Sequence, residues 1–356
     1  MQSRPLSEFC LLSRSKINLF LQIGPVIPEI GLHRLTTVMQ ELEYADDIRF
    51  RYSPPCATRA TLQSYIPPPD SSAKSVQYEL GNWLMRITVR GDVESPLNES
   101  NLCLRAMNVY YADFIKQLPL SEDSVRPYRF FALDLHKRIP TGAGLGGGSS
   151  NAATVLLVLN ELFEAINFET NLPNLAQTLG SDVPYFLYGE TALCSGVRGE
   201  VYPLPPLPKL GVLLLIPPRQ VSAGAAFAAW DGLTVGESTV TEIEMIDTEE
   251  HIRSFSWTQP DRILWSALKN DFEALDEYHN TVAALRSRLA DLGALHTQLS
   301  GSGPTVFALF PDRAAAEAAN ISFDATDRDG SSVYEDWQRI VTETYNSRSY
   351  IDGKGA

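Results

Sequence analysis

Cysteine is scarce in this chain of 356 residues: Cys10, Cys56, Cys103 and Cys194 stand far apart, and none forms a CxxC pair. That spacing argues against a disulfide framework or a cysteine zinc site and reads as free thiols, buried or half-buried. Histidine is as sparse. His33, His136, His251, His279 and His296 form no HExxH pair and no cluster, so no protein-bound metal is expected. Basic residues are outnumbered, 29 Lys and Arg against 43 Asp and Glu, for a net charge of −14. Such a surface argues against nucleic acid or an anionic membrane face as the main partner, while a local pocket can still bind a small anion. No apolar run approaches the roughly eighteen residues of a membrane helix. The first residues lack the charged start and unbroken apolar stretch of a signal peptide, and a cytoplasmic protein is expected.

What is present suits a packed core. Hydrophobic residues make up 44% and charged residues 20%, in a length that suggests two or three domains. Residues 16–23, 83–89, 129–135, 212–216 and 305–310 read as strands, and 102–115, 149–163, 172–179 and 282–292 carry helical periodicity. Strands and helices mix without strict alternation, which favours α+β over a doubly wound sheet. Residues 53–74 are rich in Pro and Ser, with Pro67, Pro68 and Pro69 expected extended and exposed. Residues 232–261 are polar, acidic and poor in periodicity, and the acidic run 242–250 reads as a solvated loop or part of a lid. The alanine-rich piece 314–319 suits a helix, and the polar residues from Ile321 onward read as a loosely attached tail. A boundary is expected near 195–210, where Gly196, Gly199 and several prolines break the pattern.

The most informative stretch is residues 137–153, Lys-Arg-Ile-Pro-Thr-Gly-Ala-Gly-Leu-Gly-Gly-Gly-Ser-Ser-Asn-Ala-Ala. It follows a strand and runs into a helix, so several backbone N–H groups lie uncovered at the positive end of a helix, where phosphate is the natural guest. A Walker A loop is excluded, because no lysine follows the glycines. Gly142, Gly144 and Gly147 spell GxGxxG, but the acidic residue that a dinucleotide fold needs about twenty positions later would fall on or just past the helix of Glu161 and Glu164. A mere flexible linker would not lead into a strong amphipathic helix.

This loop resembles the phosphate loop of the GHMP small-molecule kinases. Two more segments are similar to that superfamily's motifs and come in its order. Residues 15–21, Ser-Lys-Ile-Asn-Leu-Phe-Leu, resemble its N-terminal strand, and residues 299–307, Leu-Ser-Gly-Ser-Gly-Pro-Thr-Val-Phe, its C-terminal glycine turn. Finer features resemble the branch that phosphorylates the 2-hydroxyl of a methylerythritol bearing a cytidine diphosphate group, in the non-mevalonate route to isoprenoid precursors. Residues 179–186, Leu-Gly-Ser-Asp-Val-Pro-Tyr-Phe, look like its catalytic-aspartate motif, and residues 31–37, Gly-Leu-His-Arg-Leu-Thr-Thr, like its substrate motif. Leu32 departs from it, standing where the branch carries a tyrosine that stacks on cytosine.

The resemblance implies an α+β, two-domain GHMP kinase fold with mixed and antiparallel sheets and helices, and an active site in the interdomain cleft. It divides the chain into an N-terminal extension (1–14), an ATP-binding domain (15–196, with an insertion near 53–75), a C-terminal domain (197–311) and a C-terminal extension (312–356). It implies ATP as phosphoryl donor, Mg²⁺ carried by the nucleotide, a small-molecule substrate with a cytidine diphosphate group, and a monomer or weak homodimer. Lys16 and Asp182 are the catalytic candidates. Alone, Lys16 reads as a snorkelling or ion-paired strand residue and Asp182 as a helix N-cap; the motifs turn both toward phosphoryl transfer. Pro140, Thr141, Gly142, Ala143, Gly144, Leu145, Gly146, Gly147, Gly148, Ser149 and Ser150 would hold the ATP phosphates, the serines capping the helix or touching the metal. Asn101, Leu102 and Lys137 would lie at the adenine pocket, with an exposed basic residue as the other reading of Lys137. Asn18, His33, Thr36 and Phe227 are the substrate candidates, His33 to read the cytosine edge and Phe227 to supply an aromatic wall. Another GHMP kinase, acting on a homoserine, mevalonate or sugar-type alcohol, and a catalytically weak nucleotide-binding regulatory protein remain the alternatives.

Overall fold

The computed structural model describes residues 5–91, 93, 95–117, 127–164, 171–233, 241–259, 263, 265–323 and 334–346. The chain opens with two long strands, β1 (Ser7–Ile27) and β2 (Leu32–Tyr52), joined by a tight turn at Gly31, whose φ of +65° suits glycine. There follow α1 (Arg59–Gln63), β3 (Lys74–Leu80), β4 (Trp83–Arg90), α2 (Leu102–Gln117), β5 (Arg129–His136), α3 (Gly147–Glu164) and α4 (Leu172–Leu179). The remainder holds β6 (Thr191–Gly196), β7 (Glu200–Pro203), β8 (Gly211–Ile216), α5 (Ala223–Leu233), α6 (Glu242–Arg253), α7 (Asp276–Asp291), β9 (His296–Leu299), β10 (Val306–Phe310), α8 (Arg313–Ser322) and β11 (Gln338–Glu343).

Two compact units emerge, and each takes non-contiguous pieces of chain. The first comprises residues 1–13, 45–141 and 147–187; the second comprises 14–44, 142–146 and 188–356. In the first, β4 lies parallel to β5, with α2 on the connection between them, while β3 and the end of β2 pair antiparallel on either side. Its interior is aromatic: Trp83 packs within 4.8–5.6 Å of Tyr111, Phe114, Phe131 and Phe163. Rings of this size bury large apolar areas and prefer tilted or offset contacts.

In the second unit, the start of β2 pairs antiparallel with β6, and β6 with β7. A four-stranded antiparallel sheet, ordered β11-β8-β10-β9, forms beside its own core. Leu213, Leu215, Val306, Ala308 and Phe310 from the sheet meet Val282, Leu285 and Leu289 of α7. The charges of α7 follow its dipole, with Asp276 and Glu277 in the first turn and Arg288 in the last.

The expected strands and helices form, and three expectations need correction, the first being that Cys10 is exposed while Cys56, Cys103 and Cys194 are buried. The acidic run 242–250 belongs to helix α6 rather than a loop. Thr241 and Glu244 close a reciprocal capping box at its start, and Met245 and Ile252 are buried beneath it. The tail is attached as well. Asp312 caps α8 by accepting from Ala315 N at 2.8 Å, and β11 pairs with β8 along its whole length. Beyond it, Tyr345 N donates to Glu41 O at 2.8 Å and the Arg14 guanidinium covers the Tyr345 ring. Residues 324–333 and 347–356 of that tail lie outside the described residues.

Candidate active site

The glycine loop has the backbone its composition demands. Gly142, Gly144 and Gly146 take φ of +66°, +77° and +70°, while Ala143 and Leu145 keep negative φ and bury their side chains. Alternation of positive and negative φ is the pattern from which anion-binding backbone concavities are built. The carbonyls are engaged by the protein: Gly142 O accepts from Val221 N at 3.1 Å and Leu145 O from Lys16 N at 3.0 Å. Gly144 O accepts from both Lys16 Nζ and Ser300 Oγ at 3.0 Å. A Cβ at Gly144 would stand 2.1 Å from Ser300 O, so only glycine permits this approach. Helix α3 begins at Gly147, two residues before the expected start, so the loop opens directly onto a helix N-terminus.

Within the second unit, the three motifs meet. Lys16, 2% exposed on β1, donates to Asn18 Oδ1 at 2.6 Å as well as to Gly144 O. Asn18 lies two residues on, on the same face of the strand, and donates to Thr37 Oγ1 at 2.8 Å. Gly301 of the C-terminal turn approaches so closely that an added Cβ would lie 3.1 Å from Lys16 Nζ and 3.3 Å from Asn18 Oδ1. A buried ammonium beside a loop of N–H donors is a setting that strengthens attraction for phosphoryl oxygens.

The first unit places the other nucleotide candidates. Asn101 is buried at the head of α2, accepting from Cys103 N at 2.9 Å and donating to Pro96 O at 2.7 Å. Leu102 reaches Gly148 of α3. Burial pushes the neighbouring Cys103 thiol up to about 12, so it is an inert core residue. Lys137 is buried, not exposed, at 4%. Its ammonium donates to Asp46 Oδ2 and, at 3.4 Å, to Asn151 Oδ1. Asp46 also accepts from Arg138 N at 2.7 Å, Ile139 N at 2.9 Å and Asn151 Nδ2 at 2.9 Å. Ser13 completes this cluster by accepting from Asn151 Nδ2 and donating to Ser150 Oγ, so the Ser150 hydroxyl is tied to β1. Ser149 is half-buried in the first turn of α3; Pro140 is half-buried and Thr141 exposed ahead of the loop. Asp182 sits half-buried in a turn just before the buried helical turn Tyr185–Leu187.

The substrate candidates gather in the second unit. His33 stacks on Phe227 with ring centroids 5.5 Å apart, and Phe227 meets Phe272 edge-on. Both ring nitrogens of His33 face acceptors, Nδ1 with Gly24 O and Nε2 with Asp231 Oδ1, each at 2.8 Å. Thr36 is buried on β2 and donates to Glu249 Oε1 of α6 at 3.2 Å. Leu32 is 54% exposed. Sequence reasoning missed Asp46, Asp231, Glu249, Asn270, Glu273 and Tyr278, each a polar residue whose partner is distant in sequence. Among the described residues, no group of three His, Cys, Asp or Glu is placed to hold a metal ion. No helix among them is long and apolar enough to cross a membrane.

Comparison with known proteins supports the motifs. Residues 101–190 match the model of the GHMP kinases N-terminal domain and 262–321 that of the GHMP kinases C-terminal domain. A 4-diphosphocytidyl-2-C-methyl-D-erythritol kinase of Pelotomaculum thermopropionicum is 31% identical over 339 residues, 95% of this chain and 98% of that protein. One of Gloeobacter violaceus is 33% identical over 313 residues, covering 86% of this chain and 87% of the relative. The crystal structure of a 4-(cytidine 5'-diphospho)-2C-methyl-D-erythritol kinase superposes with a TM-score of 0.59 at 24% identity, over 95% of this chain and all of that one. A mevalonate kinase of L. major superposes with a TM-score of 0.55 at 12% identity, over 98% of this chain and all of that one. Both show the fold.

Proposed function

The chain belongs to the 4-diphosphocytidyl-2-C-methyl-D-erythritol kinase family of GHMP kinases, and from that premise we propose how its residues carry out the reaction. It is an ATP-dependent small-molecule kinase of isoprenoid precursor synthesis. The alcohol phosphorylated is the 2-hydroxyl of 4-diphosphocytidyl-2-C-methyl-D-erythritol, and the cytoplasm is the place of action. The observation that carries this reading is the family match over nearly the whole chain, together with a phosphate loop intact in sequence and backbone.

Phosphoryl transfer asks a protein for alignment and charge compensation, with little covalent work. Backbone N–H groups of residues 141–150 hold the β- and γ-phosphate oxygens of ATP, with Pro140 shaping the entry to the loop. Asp182 orients the substrate hydroxyl and takes its proton late in the transfer. Lys16, aimed by Asn18 and the Gly144 carbonyl, neutralises charge on the transferring group. Asn18 is thus assigned to aiming Lys16, and Lys137 to supporting the strand that enters the loop through Asp46. A magnesium ion would arrive on the nucleotide's own phosphates and supply charge neutralisation there, beside the loop donors and Lys16.

Cytosine stacks against Phe227. With both His33 nitrogens engaged, its ring reads the base only when Asp231 or Gly24 O gives way. That observation, with Leu32 in place of an aromatic residue, favours as a second reading a GHMP kinase acting on another alcohol.

The test is ADP production with Mg-ATP and one alcohol per tube: the cytidylyl methylerythritol, mevalonate, homoserine or galactose. Turnover with the cytidylyl compound alone is expected. Turnover with a different alcohol would select the second reading, and none in any tube would remove the assignment.

A further inference from the structure

The C-terminal glycine turn is held by side chains that no motif announces. Asn270, 3% exposed, donates from Nδ2 to Leu299 O at 2.9 Å and to Gly301 O at 2.7 Å. Its Oδ1 accepts from Phe272 N at 3.1 Å, which fixes the amide so that the NH₂ faces the turn. Glu273 Oε1 accepts from Leu299 N at 2.9 Å. Tyr278 donates its hydroxyl to Ser302 O at 3.0 Å, and its ring fills the space where a Cβ at Gly303 would stand. Ser300 O accepts from Gly303 N at 2.9 Å and, like Gly303 O, packs on Gly144.

The carbonyls of residues 299, 300, 301 and 302 are therefore all bonded within the protein. This matters chemically, because a free carbonyl dipole aimed at a triphosphate repels it, whereas these four carbonyls are directed at donors within the protein. The same turn packs on Gly144 and touches Lys16 through Gly301, so its placement sets two elements of the proposed phosphate site.

We propose that Asn270, assisted by Tyr278, is a positioning residue for nucleotide binding: it ties back the carbonyls of the C-terminal glycine turn so that the turn and the Gly142–Gly146 segment together accept a polyphosphate. This rests on the kinase reading above and adds to it a residue outside the three motifs. Asn270 touches neither nucleotide nor alcohol; it acts through the turn.

The test uses the full chain and two variants. Asn270→Asp keeps size and shape but replaces the donor pair by an acceptor facing two carbonyls. Losing a buried donor pair of this kind predicts a KM for ATP raised about tenfold or more. The KM for the alcohol stays within about twofold, and kcat at saturating ATP changes far less than the KM for ATP. Tyr278→Phe, which removes one hydroxyl, shifts the KM for ATP in the same direction by about two- to fivefold, and it serves if Asn270→Asp does not fold. Direct titration with ATP, without alcohol, separates this claim from the kinase reading. Wild type that binds ATP while both variants bind it equally well overturns the positioning role and leaves the kinase reading standing. A lower melting temperature with both KM values unchanged, or both raised together, also overturns it. Wild type that binds no ATP overturns the reading on which it rests.

Discussion

Two lysines of this chain are buried almost equally, Lys16 at 2% exposure and Lys137 at 4%, yet their surroundings differ. Lys137 sits against the Asp46 carboxylate, which also collects two backbone N–H groups and the Asn151 amide. That cluster is a saturated anchor in which the lysine charge is spent on holding the strand that enters the glycine loop. Among its contacts, Lys16 donates to a side-chain amide and a loop carbonyl, with a glycine turn pressed against its ammonium. Lys137 thus holds a strand in one unit, and Lys16 is the lysine that the proposed mechanism uses in the other.

The comparison breaks most visibly at Lys137. Lys137→Met leaves Asp46 buried without its cation, and removing one partner of such a pair costs about 3–5 kcal/mol of stability. Denaturant unfolding should show it, and the double variant with Asp46→Asn should recover part of the loss. Unchanged stability in Lys137→Met would mean that the pair is no anchor.

At Lys16 the effect moves from stability to rate. Lys16→Met should cost less stability than Lys137→Met, about 1–3 kcal/mol for the acceptors it leaves unpaired, while turnover falls about 10²- to 10³-fold, the usual cost of a lost electrostatic group at a reacting centre. Asp182→Asn should behave alike, keeping ATP affinity while turnover falls by about 10²-fold or more. Near-normal turnover in either variant would remove that residue from the mechanism.

The smallest effect lies at Leu32, in the same unit as Lys16 but on the substrate side. Restoring an aromatic ring, Leu32→Tyr, should tighten cytidine nucleotide binding by about 1 kcal/mol, the low end of base stacking, because the position is half open to water. No change in a calorimetric titration would place the base elsewhere.

The glycine loop and the Asp182 turn were legible because glycine and proline patterns encode backbone shape locally, and the Lys16 strand because its apolar pattern does. Helix α6 carried a readable signal too: the Thr241 and Glu244 capping box precedes Met245 and Ile252, but acidic residues between them mask the periodicity. Strand β11 was hidden for a different reason. Its sequence, Gln-Arg-Ile-Val-Thr-Glu, is mostly polar, and pairing with the buried β8 makes it a strand. Asn270, Asp46 and Asp231 were illegible in principle. Each looks like a solvated polar residue until a partner, 29 residues away for Leu299 and 198 for His33, comes beside it.

The central claim is that this chain moves a phosphoryl group from ATP to one hydroxyl of the cytidylyl alcohol. Phosphorus NMR of the reaction with Mg-ATP and 4-diphosphocytidyl-2-C-methyl-D-erythritol tests it most directly. The account predicts one new phosphomonoester signal, coupled to the 2-position of the methylerythritol, growing in step with ADP while the cytidine diphosphate signals persist. Growth of inorganic phosphate without that monoester, or loss of the diphosphate linkage, would contradict it.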